Sequence, residues 1–66
     1  MKIFVNDDEF EFSGNNLADL LAENGFIEKQ GIAVAVNETV ISRGEWNSCI
    51  LKQGDSILII TPAQGG

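Results

Sequence analysis

The residues best suited to chemistry in this 66-residue chain are its last two, Gly65 and Gly66, in the closing run TPAQGG. Their side chains offer nothing, so the reactive group is the α-carboxylate of Gly66. With an ordinary pKa near ~3.5 it is ionised at neutral pH, and it is a capable nucleophile toward the α-phosphate of ATP. Attack gives an acyl-adenylate. A sulfur nucleophile can then displace AMP and leave a C-terminal thiocarboxylate, which makes the chain a mobile sulfur donor. Glycine fits such a role because it has no Cβ to obstruct a narrow channel and accepts the backbone angles the channel imposes. Pro62 lacks an N–H and ends ladder pairing, so the tail, residues 62–66, is expected to leave the sheet as an extended arm. The six residues of TPAQGG reach at most roughly 20 Å, enough to enter another protein's active site. The plain alternative is a frayed, glycine-rich tail of the kind many domains carry. At an average glycine usage of about 7%, two final glycines arise by chance in roughly one chain in two hundred, so the pair takes its weight from context.

The rest of the chain supplies no competing chemistry. It has no histidine and no tyrosine, which removes the commonest general base and every Ser-His, Cys-His or His-metal arrangement. No phosphate-binding glycine pattern is present, and a chain this short offers no enclosed cleft for a glycosidase-like acid pair. The expectation is a carrier or binding protein with no metal and no bound cofactor, not an enzyme. The single cysteine, Cys49, reads as a small buried hydrophobe. It cannot form an internal disulfide, in keeping with a reducing compartment.

Ten acidic against four basic residues give a net charge of −6, a poor match to a phosphate backbone. Nucleic acid is therefore not an expected partner. The longest apolar runs, IAVAV and ILII, are too short to cross a membrane, and no signal peptide is expected because the opening residues lack its basic region and apolar run. A cytoplasmic location is expected. The acids Asp7, Asp8, Glu9 and Glu11 read as a solvated hairpin, with steering toward a basic protein surface as the functional alternative.

The elements that must position the tail follow from periodicity. MKIFV and EFEFS alternate as strands around the turn signal NDD. NNLADLLAENG has helical spacing: Leu17, Leu20 and Leu21 share a face, Asn16 is the N-cap, and Gly25 stops the helix with Phe26 packing back on Leu21. GIAVAVN and ETVIS read as a third and a shorter fourth strand, RGEW as one irregular turn, and SILII, after Gly54-Asp55, as the last strand. This order predicts an α+β domain over residues 1–61, a mixed four- to five-stranded sheet with one helix packed across it. If Ile57 and Ile59 face the helix, Leu58 and Ile60 point away, as Phe4 does relative to Ile3 and Val5. Phe4, Leu58 and Ile60 are thus candidates for an outward apolar, partner-binding patch. A loop covering them is the alternative.

These residues also carry a likeness. The opening MKIFVN, the block VAVNETVISRGEW, LKQGDSILII and the final GG, in this order and over the full length, resemble the ThiS family of sulfur carriers, in the ubiquitin-like β-grasp superfamily. The one departure is PAQGG, where a more apolar residue is usual before the glycines. The resemblance implies that a ThiF-type adenylyltransferase activates Gly66 with ATP and that a cysteine desulfurase supplies the sulfur. Thiazole synthase, ThiG, would receive it for thiamine biosynthesis. It also implies that Gly65 is the permissive neighbour and that the family's partner-facing surface falls on Phe4, Leu58 and Ile60. Arg43 and Trp46 match family positions too, but read as a surface charge and a core residue. Free of partners, the chain is expected to be a monomer. The alternatives are a MoaD-like carrier for molybdopterin synthesis, whose relatives tend to be longer, a ubiquitin-like modifier, and a β-grasp interaction module whose glycines do nothing.

Overall fold

The computed structural model describes residues 1–62. Five strands and one α-helix follow the chain order β1 (Lys2–Val5), β2 (Asp8–Glu11), α1 (Leu17–Glu23), β3 (Ala33–Val36), β4 (Thr39–Ile41) and β5 (Ser56–Ile60). They form one mixed sheet of order β2-β1-β5-β3-β4. The last strand thus lies in the middle, parallel to β1 and antiparallel to β3. Its backbone is hydrogen-bonded on both sides, which makes β5 the most constrained element from which a tail could leave.

Both hairpins turn on two residues with positive φ: Asn6 (51°) and Asp7 (72°) between β1 and β2, Asn37 (50°) and Glu38 (72°) between β3 and β4. This is the type I′ turn, whose twist matches that of the strands it joins. Each asparagine also ties its turn to β5. The Asn6 N–H donates to the Ile57 carbonyl (2.9 Å), and Asn6 Oδ1 accepts from the Ile59 N–H (2.8 Å). The Asn37 N–H donates to the Ser56 carbonyl (2.8 Å), while Asn37 Oδ1 accepts from the Ser56 N–H (3.0 Å). The central strand is thereby held between two hairpin tips.

Helix α1 is specified at both ends. Asn16 Oδ1 accepts from the Asp19 N–H at 2.8 Å, satisfying one orphan donor of the first turn. At the other end the Phe26 N–H donates to the Leu21 carbonyl (2.7 Å) and the Gly25 N–H to the Ala22 carbonyl (3.2 Å), with Gly25 at φ +79°. These two bonds define a Schellman ending. The helix buries Leu17, Ala18, Leu20 and Leu21 in a core shared with Ile3, Phe12, Val34, Trp46, Leu51, Ile57 and Ile59. Full burial of each large aliphatic or aromatic side chain stabilises the fold by about 1.5–3 kcal/mol.

One element departs from the reading of the sequence. RGEW, expected as a single irregular turn, lies in a 3₁₀ helix over Arg43–Ser48 that packs against α1. Six residues are too few to show a period, and packing against α1 adds to local bonds such as the Glu45 N–H to the Ser42 carbonyl (2.8 Å) in holding them. Trp46 is buried, and its Nε1–H donates to the Ile41 carbonyl at 3.1 Å.

Candidate functional site

Strand β5 divides the molecule into a covered and an open face. Ile57 and Ile59 are buried in the core, whereas Leu58 is 49% and Ile60 55% exposed. Among the described residues no loop covers them. Phe4 lies on the same outer face, half-buried, its neighbour Ile3 being in the core.

Register shows which of these residues stand together. Ala35 pairs with Leu58 on one side and with Val40 on the other, and Ala33 pairs with Ile60. Directly paired residues share a face, so Val40, Ala35 and Leu58 form a row across three strands. Phe4 is level with Ser56, two residues before Leu58 and four before Ile60. At about 3.3 Å per residue, Leu58 is displaced roughly 7 Å along the strand from Phe4, and Ile60 roughly 13 Å. The patch is therefore a diagonal strip with Leu58 at its centre, not a compact triad. Val40, 73% exposed, is not singled out by the sequence although TVI alternates. Its place became evident only once the β3–β4 register put it opposite Ala35.

The small side chains of Ala33 and Ala35 leave Leu58 and Ile60 standing proud of the sheet. At the Phe4 end the strip is bounded by charge, with Lys2 Nζ 3.5 Å from Glu9 Oε2. At the Ile60 end it runs into Thr61 and Pro62. Gly65 and Gly66, the candidates for the reacting terminus, lie outside the described residues.

The root of the tail rests beside a braced loop. A Cβ built on Gly31, which has φ +77°, would stand 3.5 Å from Pro62 Cγ, so Gly31 is a close neighbour of Pro62. The loop preceding Gly31 is held by Arg43, whose guanidinium donates to the carbonyls of Ile27 (3.2 Å) and Lys29. The same guanidinium lies 4.4 Å from the Trp46 ring centroid, within cation–π range. Arg43 is therefore not the simple surface charge expected of it. It ties the 3₁₀ helix to the loop beneath Pro62, across partners 14 and 16 residues away that local pattern does not reveal.

Cys49 is no rival nucleophile. Burial pushes its thiol pKa up, and the negative charges of Asp55 and Glu45 push it further, so the reactive thiolate is disfavoured at neutral pH. Among the described residues no group of three or more histidine, cysteine or acidic side chains is placed to hold a metal, and no helix is long and apolar enough to cross a membrane.

Comparison with known proteins agrees with this architecture. The crystal structure of the thiamine biosynthesis protein ThiS from Geobacter metallireducens covers 100% of both chains with a TM-score of 0.82 at 23% identity. The solution structure of a thiamine biosynthesis protein from the same organism covers 100% of this chain and 88% of its own, with a TM-score of 0.80 at 23% identity. These likenesses show the fold, a ubiquitin-like β-grasp. The sulfur carrier protein ThiS of Escherichia coli K12 is 29% identical over 66 residues, 100% of each chain. The model of the ThiS family matches residues 1–66, both final glycines included, and on that match the chain belongs to the ThiS family.

Proposed function

We propose that this protein is a sulfur carrier of thiamine biosynthesis in which the Gly66 carboxylate is the carrying group. The observation that carries the reading is the family match through Gly66. It is supported by the open apolar strip whose Ile60 end adjoins Thr61 and Pro62, where the tail begins. The work is divided between two parts of the chain. The strip of Phe4, Leu58 and Ile60 docks on a partner, and the tail places the carboxylate in the partner's active site.

Activation is assigned to a ThiF-type adenylyltransferase. Carboxylate oxygen attacks the α-phosphorus of ATP, the bond to the pyrophosphate group breaks, and Gly66 becomes a mixed anhydride with AMP. The outer sulfur of a cysteine desulfurase persulfide then displaces AMP and joins Gly66 to the donor cysteine as an acyl disulfide. Attack by a second thiol of the partner enzymes on the cysteine sulfur breaks that S–S bond and leaves a disulfide between the two cysteines. This releases the thiocarboxylate, which passes to thiazole synthase. ATP is consumed by the partner and no cofactor stays on the carrier. Between encounters the carrier is a cytoplasmic monomer.

The first half of this sequence is tested by ATP–pyrophosphate exchange with the purified adenylyltransferase. Exchange is expected only when the carrier is present, and exchange indifferent to the carrier would overturn the assignment of Gly66 as the activated group.

A further inference from the structure

The open face contains a hollow of about 260 Å³ whose lining includes Ser56, Leu58 and Ala35, with Asp7 from one hairpin tip and Glu38 from the other. It is far larger than the ~30 Å³ share of one water and admits a long side chain. Its wall is apolar and its rim is acidic. Neither rim carboxylate has an ion-pair partner among the described residues, nor has Asp8 beside Asp7, whereas three other nearby acids are engaged. Glu9 pairs with Lys2 and Glu11 with the N-terminus. Asp55 accepts from the Asn37 side chain and from the Lys52 N–H.

The backbone sharpens the point. Asp7 and Glu38 each occupy the second position of a type I′ turn, with φ of 72° in both, where glycine is favoured. The two turns thus carry an acid at the place where the fold alone would select glycine.

We propose that this hollow receives an arginine side chain of the ATP-using activating enzyme, its guanidinium between Asp7 and Glu38 and its stem against Leu58 and Ala35. The inference rests on the carrier reading above and names a recognition element within it. A guanidinium is planar, weakly hydrated and rich in donors, so it can serve two carboxylates at once beside an apolar wall, where a compact ammonium retains its water. The methylene stem covers Leu58 while the head reaches the acids. Arginine is also enriched at protein interfaces. A second copy of this chain is not the donor, because its single arginine, Arg43, is already bonded to Ile27 and Lys29 and stacked on Trp46.

The test measures binding to the purified activating enzyme of the same cell at low and at raised salt. The variants are Asp7→Asn with Glu38→Gln, Asp7→Gly with Glu38→Gly, and, as a charge-matched control, Glu23→Gln with Glu28→Gln. Both rim pairs are expected to weaken binding about tenfold or more at low salt, with the gap narrowing as salt screens it. The glycine pair is expected to melt no lower than the parent, since it relieves the turns, so its binding loss would not be a folding loss. The control is expected to bind within about twofold of the parent, as only the general field changes. Parent-like affinity in the rim variants overturns the inference and leaves the carrier reading standing. An equal loss in the control overturns it in favour of long-range steering, and concentration-dependent dimerisation that the rim variants abolish overturns it in favour of a second copy. Failure of the parent itself to bind the enzyme overturns the carrier reading and this inference together.

Discussion

Removal of Gly66 is expected to abolish sulfur transfer while leaving the stability of the domain within about 0.5 kcal/mol of the parent, as for surface changes that touch no packed feature. The shortened chain still ends in a glycine carboxylate, so neither the charge nor the nucleophile is lost. What changes is reach. One residue of extended chain is about 3.5 Å, and reacting atoms must approach to about 3–3.5 Å, with misplacement by ~1 Å able to cost about a hundredfold. A carboxylate withdrawn by a whole residue should therefore fall outside the productive range. The check is complementation of a thiamine-requiring strain, with circular dichroism confirming the fold. Growth supported by the truncated chain would leave the binding-module reading as the better account.

Leu58→Asp is expected to weaken binding to the adenylyltransferase about a hundredfold or more, near 2.7 kcal/mol, with little loss of folding stability. Leu58 is 49% exposed in the free chain, so an aspartate there remains hydrated and costs at most the ~1 kcal/mol span of strand preferences. In the complex the same carboxylate would be desolvated at the contact, which costs several kcal/mol, and the arginine proposed to lie along Leu58 presents its stem there, its guanidinium being shared by Asp7 and Glu38. The adjacent residue provides the contrast. Ile59 is 5% exposed and packed in the core, so Ile59→Asp should unfold the domain outright. Denaturant melts of the two variants, run beside a binding titration, separate the cases. Unfolding of Leu58→Asp would return that residue to the core and remove the docking strip.

The contrast between Leu58 and Ile59 also shows what a sequence makes legible. A strand alternates with period two, so once one residue of SILII is assigned to the core, its neighbours are assigned to the outside. The helix was legible for a similar reason. Asn16 and Gly25 are local signals, and the hydrogen bonds they make fall within a few residues of chain. Val40, Arg43 and the 3₁₀ helix were not legible because their roles depend on strand register and on partners brought together by the fold. Val40 joins the strip only through its pairing with Ala35, and Ala35 only through Leu58. Arg43 reads as one more surface charge until the loop after α1 comes back beneath it. The hollow between Asp7 and Glu38 belongs to the same class, since 30 residues separate acids that line one cavity only because β1 and β3 flank β5.

The assignment of Gly66 as the carrying residue is tested most directly by intact mass with fragmentation on the protein isolated from cells that contain its native partners. A thiocarboxylate replaces one oxygen by sulfur, a gain almost equal to that of oxidation at Met1 or Cys49, so fragment ions must localise the change. Sulfur on the fragment containing Gly66, captured by a thiol-selective reagent, is the predicted result. An unmodified Gly66 carboxylate in cells where the adenylyltransferase is active, or Gly66 joined to a lysine, would contradict the account.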